Sequence, residues 1–235
     1  MTEDNPDFAE IAANVYSKVS SELPLSAPEL GQAVHDAAGD FRAAFSDVIA
    51  SGRKLEADAA ELRKKRDLLP AAGFQRLKGE AINSAAELSA EADRRAGRAI
   101  ETLREKLTDA AQPRLEAGRE VLARQELALA LGEAHGSAAA SRAHIIARSA
   151  SRECVAALNS PFGETLLQAR GLTGRTLTET REAVRKIAAH SAAEESADVG
   201  EILAGKVLAR VDALGAAKGA AGSYVYNAIE KAKRG

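Results

Sequence analysis

Val34, Phe41, Val48, Leu55, Leu62 and Leu69 stand seven residues apart in a chain of 235 residues, and Pro70 ends the run. Six apolar side chains at one heptad position form a seam that a helix hides only against another helix. Ala38, Phe45, Gly52, Ala59 and Arg66 follow at the intervening four-residue step, mostly small, which lets a partner backbone come close. The pattern predicts an all-α fold. Its long amphipathic helices would pack as antiparallel, coiled-coil-like hairpins, with a smaller helical region at the C-terminal end. Whether the seam closes within one chain or between chains is left open by the spacing.

Composition agrees with thin helix–helix contacts. Alanine fills more than a fifth of the positions, tryptophan is absent and aromatics are 3% of the chain. Charged residues are 28% and nearly balanced, with a net charge of -2, which describes a solvated, mixed surface. A phosphate-tracking surface needs a basic stripe. The compact basic run Arg63-Lys64-Lys65-Arg66, followed by Asp67, reads first as a solvated helix face and as cations near a helix C-terminus. No specific nucleic-acid partner is expected. Cys154 is the sole cysteine, so no intrachain disulfide can form, and it reads as a buried thiol. The first residues, Met1 to Pro6, are acidic and polar, unlike a secretory leader. No apolar stretch approaches the roughly 20 residues that span a bilayer. The expectation is a protein made in the cytoplasm, with a membrane partner disfavoured.

Four consecutive segments are expected. In 1–25, Asn5 caps a helix that starts at Pro6, with Asp7 in its first turn and Phe8, Ile11, Val15 and Val19 along one side. In 26–111, Ser26 and Glu29 form a capping box and a helix runs to Leu69, with bends allowed at Gly39 or Gly52. A second helix follows Pro70, striped by Phe74, Leu77, Ala81, Ala85, Leu88, Ala92, Ala96, Ala99, Leu103, Leu107 and Ala110. The short break favours a hairpin over a kinked continuation. In 112–158, Gln112-Pro113 opens a helix with Leu115, Leu122 and Leu129 in heptad register, widened by Leu127 and Leu131. A turn at Gly132 to Ser137 leads into a helix from Ala138 to Leu158. In 159–235, Ser160 and Pro161 restart the chain. Helix then resumes near Thr178, a further helix carries Val199, Leu203, Val207, Val211 and Leu214, and a tail holds Tyr224 to Arg234.

No catalytic, cofactor-binding or metal site is expected. His35, His135, His144 and His190 have no second His or Cys one helical turn away, so no helix offers a metal pair. His135, Ser137, Ser141 and His144, in a segment that also carries Cys154, are close only in sequence. Glu133–His135 is not the Glu-x-x-His of di-metal bundles. Gly171 to Thr176 lacks the Gly-Lys-Ser/Thr ending and the preceding strand of a phosphate loop, so it reads as a loop between helices. The tail with Tyr224, Tyr226 and Lys231 to Arg234 has a weak apolar face, and reads as a docking helix rather than a membrane anchor.

Leu55 to Leu107, in which Arg66-Asp67-Leu68-Leu69-Pro70-Ala71-Ala72-Gly73 separates two charged, alanine-rich helices, resembles small helical proteins of tailed actinobacterial phages. The resemblance covers about a quarter of the chain. It implies a virion role, as scaffold, head–tail joint or minor component, and carries no functional residues over. The resulting expectation is a non-enzymatic structural or assembly protein, present in many copies, whose partners are itself and other proteins. The alternative is a regulatory or envelope-associated helical protein that binds a partner or a lipid surface through one amphipathic face.

Overall fold

A computed structural model describes residues 7–115 and 118–234. The described residues form ten α-helices and no strand, so the fold is all-α. They are α1 (Phe8–Glu22), α2 (Gln32–Lys64), α3 (Ala71–Ala110), α4 (Glu120–Leu131), α5 (Ser137–Ser149), α6 (Arg152–Asn159), α7 (Pro161–Ala169), α8 (Gly174–Glu195), α9 (Val199–Leu208) and α10 (Ala213–Arg234). The four consecutive segments expected from the sequence regroup into two compact units. One holds α1, α2 from Ala33, α3 as far as Leu103, and the chain from Val211. The other holds Ala27–Gln32 and Arg104–Arg210.

In the first unit, Asp7 is itself the cap of α1, its carboxylate accepting from the Ala9 and Glu10 amides at 2.9 and 3.3 Å. Asn5 and Pro6 lie outside the described residues. The buried side of α1 is Ala9, Ala12 and Val19, followed by Leu23 just beyond its end, while the expected stripe members Phe8 and Ile11 are exposed. The reason is steric: alanines allow a close approach, and Tyr16 stacks on Phe45 of α2 at 4.7 Å. The Ser26–Glu29 capping box does not start α2. A 3-10 turn over Pro28–Leu30 intervenes, Gly31 adopts a φ of 77°, and the helix begins at Gln32. Gly39 and Gly52 lie within continuous helix.

The heptad seam closes inside the chain. Val34, Phe41, Val48 and Leu55 are each at most 2% exposed, and only Leu62 and Leu69 remain half-buried. After a 3-10 turn at Arg66–Leu68, α3 returns antiparallel to α2: Phe74 shares a small apolar pocket with Leu62, Ala85 packs with Leu55, and Arg95 pairs with Asp47 at 2.8 Å. The stripe of α3 is buried or half-buried as expected, except at Leu88. Helix α10 supplies Ala228 and Ala232 to the Leu55 cluster, and Lys218 pairs with Asp93 of α3 at 2.8 Å. Tyr224 is buried beside Gly52, where a Cβ would stand 2.4 Å from the ring, and its hydroxyl donates to Glu56 at 2.9 Å.

In the second unit, Gln112-Pro113 does not open a helix. The Gln112 amide donates to the carbonyls of Thr108 and Arg185 and accepts from Asn159, which fixes the chain in an irregular course, and α4 begins at Glu120. Its inner face is Ala123, Leu127 and Leu131, whereas Leu122 and Leu129 point outward. The expected helix from Ala138 to Leu158 is divided into α5 and α6. The break falls where Ala150 turns extended and the Ser151 hydroxyl caps α6 by accepting from the Cys154 amide. Five consecutive residues of α6, Cys154 to Leu158, are buried, so this short helix is the centre of the unit's core. Ser160 and Pro161 start α7 as expected. Helix α8 begins at Gly174, earlier than Thr178, and α9 ends at Leu208, so Val211 and Leu214 fall beyond it. Gly205 brings α9 close to α8: a Cβ there would lie 2.8 Å from the Ala193 amide.

Candidate functional site

The structure separates Cys154 from the polar residues that stand near it in sequence. His135, Ser137 and Ser141 are exposed around the α4–α5 turn, while Cys154 is fully buried in α6. His190 donates from Nδ1 to the Lys186 carbonyl one turn earlier, at 2.7 Å. No group of three or more His, Cys, Asp or Glu suited to a metal occurs among the described residues. Gly171 and Gly174, with φ of 84° and 51°, shape the loop between α7 and α8 around the buried Leu172. Burial pushes the Cys154 thiol up to about 12, which makes it a poor nucleophile. Burial likewise raises the Tyr224 hydroxyl above its usual range, helped by the Glu56 carboxylate it bonds.

The polar centre that sequence reading missed is Arg152, at the start of α6. It donates to the carbonyls of Ala188 (2.9 Å) and Ala111 (3.0 Å) and to the Glu201 carboxylate (2.8 Å). Glu201 also accepts from the Ser196 hydroxyl at 2.7 Å, and its amide is capped by Asp198 at 2.9 Å. The pair is largely removed from water. Each hydrogen bond ties a separate segment to the central helix, which is a structural clasp and not a reactive arrangement. Its partners stand 36 to 49 residues away in sequence, so no local pattern marks it.

What the second unit does offer outward is one face of α4. Val121, Leu122 and Leu129 are 66%, 67% and 82% exposed. At about 100° per residue they share an arc with Gln125 and Ala128, and that arc carries no charge. Arg124, paired with Glu120 and lying over the Phe162 ring at 5.2 Å, and Glu126, which accepts from Ser151, stand on its two flanks. Contiguous exposed apolar side chains mark an interaction surface when the patch is large.

Comparison with known protein families, with curated proteins and with solved structures found no match to this chain. No helix among the described residues is long and apolar enough to cross a membrane.

Proposed function

We propose that the protein is a non-enzymatic assembly subunit that meets further copies of itself through the outer face of α4. The observation that carries this reading is the uncharged arc of Val121, Leu122, Gln125 and Leu129. A second copy can lie against it with no like charges opposed, as a self-complementary, two-fold contact requires. The buried heptad seam plays no part, because Val34 to Leu55 are already covered. An arc of four side chains is smaller than the roughly 800 Å² per partner of a stable pairwise interface. It suits a multi-copy assembly in which each contact is modest. The resemblance of Leu55 to Leu107 to phage virion proteins is consistent with such an assembly, and on that reading the virion is where it acts.

Light scattering on a sizing column, across micromolar concentrations, tests the reading. Mass is expected to rise with concentration, and Leu122→Asp with Leu129→Asp to return it to that of a single chain without changing the melting temperature. A single-chain mass throughout, or association untouched by the two substitutions, would overturn it.

A further inference from the structure

The fold gathers, at one end of the first unit, basic residues that the sequence keeps far apart. Arg63, Lys65 and Arg66 end α2 and its following turn, Lys78 lies two turns into α3, and Lys231 and Arg234 end α10. Their proximity is fixed by contacts. The Lys78 ammonium donates to the Lys233 carbonyl at 2.8 Å, and Arg63, Lys231 and Arg234 line one groove of about 790 Å³. None of the six has a carboxylate within ion-pair distance among the described residues. The acids nearby are Glu61, paired with Lys64, Glu80 with Arg76, Glu230 with Lys233, Glu56, which accepts from the Tyr224 hydroxyl, and the exposed Asp67 of the hairpin turn. Asp7 caps α1. In a protein whose net charge is -2, cations still outnumber acids at this pole of the unit, although Asp7, Glu56 and Glu230 share the groove with Arg63, Lys231 and Arg234.

The same end exposes apolar side chains. Leu68, which follows Asp67 at the end of the Arg66–Leu68 turn, is 80% exposed, and Tyr226 in the groove is 64% exposed. A lone leucine held out at a hairpin tip among cations makes no contact of its own with phosphate oxygens. It suits an interface whose charged layer overlies hydrocarbon. We propose that this end docks on an anionic membrane surface, with Arg63, Lys65, Lys231 and Arg234 meeting lipid phosphates and Leu68 entering below them. The sequence reading keeps a lipid surface only as the alternative, because the tail alone has a weak apolar face. The folded hairpin tip supplies both the apolar residue and half the cations. This inference is independent of assembly through α4, and either can fail without the other.

Because the chain has no tryptophan, Leu68→Trp gives a single reporter. The full chain is mixed with phosphatidylcholine vesicles, with vesicles containing about one third phosphatidylserine, and with single- and double-stranded oligonucleotides, at low salt. Co-sedimentation with the anionic vesicles only, and a blue shift of the indole emission there, are expected. Both should be suppressed at about 0.5 M salt. Lys65→Glu with Lys231→Glu, both on exposed residues, should lower the partition by at least about 25-fold, at about fivefold for each cation removed and more for the anions introduced. Absence of binding to anionic vesicles, or binding indifferent to the charge reversals, would overturn the proposal. So would an unshifted emission combined with tight oligonucleotide binding, which would assign this end to nucleic acid.

Discussion

Gly163 and Gly52 differ in what a methyl group would meet. At Gly163 it would lie 2.1 Å from the Leu158 carbonyl oxygen, and backbone cannot yield; at Gly52 it would meet the end of the Tyr224 ring. Gly163→Ala is therefore expected to lose about 3 kcal/mol in urea unfolding. Gly52→Ala should lose less, about 1–2 kcal/mol, because the ring gives way by loosening its bond to Glu56 and better helix propensity offsets part of the cost. Cys154 should resist a disulfide reagent at pH 8 in the folded protein and react on denaturation, since the thiolate is the reactive species. The same two buried groups, Cys154 and Tyr224, set the alkaline limit of stability. They hold their protons more tightly folded than unfolded, where their ordinary values are 9.0 and 10.0. Above each ordinary value the unfolded chain binds fewer protons than the native one, so stability falls as pH rises, by about 1.4 kcal/mol per unit for each titrating group. The melting temperature should decline from about pH 9, and Cys154→Ala should delay the onset by about one unit.

At the scale of elements, two leucines in similar sequence settings divide sharply. Leu55 is 1% exposed in the α2–α3–α10 cluster, whereas Leu122 is two-thirds exposed on α4. Leu55→Ala should cost about 2–5 kcal/mol and Leu122→Ala less than about 0.5, measured by denaturant titration. Both belong to heptad series, so spacing alone does not tell them apart. What decides is the competing face. In α2 no other apolar series rivals Val34 to Leu55, and the expected burial follows. In α4, Ala123, Leu127 and Leu131 form a second series, and the alanine lets that side approach its neighbours more closely. The stripe of α3 was legible because it repeats over about ten turns, and averaging removes single ambiguities. Helix ends were less legible. Ser160 and Pro161 declare themselves locally, but Gln112 leaves helix for tertiary hydrogen bonds that no window of sequence contains.

For the whole molecule, Arg152 is the residue whose loss should be felt most widely, since it ties α6 to the chain after α3, to α8 and to α9. Arg152→Ala leaves Glu201 without its counter-charge in a largely buried position and should cost about 3–5 kcal/mol. Arg152→Met combined with Glu201→Leu should recover only part of that loss, because desolvation of the pair disappears but the Ala111 and Ala188 carbonyls and the Ser196 hydroxyl lose their partners. A calorimetric comparison of the three chains checks this. The candidate surfaces were partly visible beforehand: the Arg63 to Arg66 run and the basic tail were both noted, but only folding brings them together. The two-unit division also bears on how the protein is made. The first unit is written in three instalments, the one that holds α10 following the 107 residues of Arg104–Arg210. At about 5–20 residues per second, a ribosome spends roughly 5–20 s on that stretch. Throughout it, the place beside Leu55 that Ala228 and Ala232 will occupy stands vacant on the nascent chain. The inserted unit can thus finish folding before the unit that surrounds it in sequence, and α10, made after it, is the helix that completes the first.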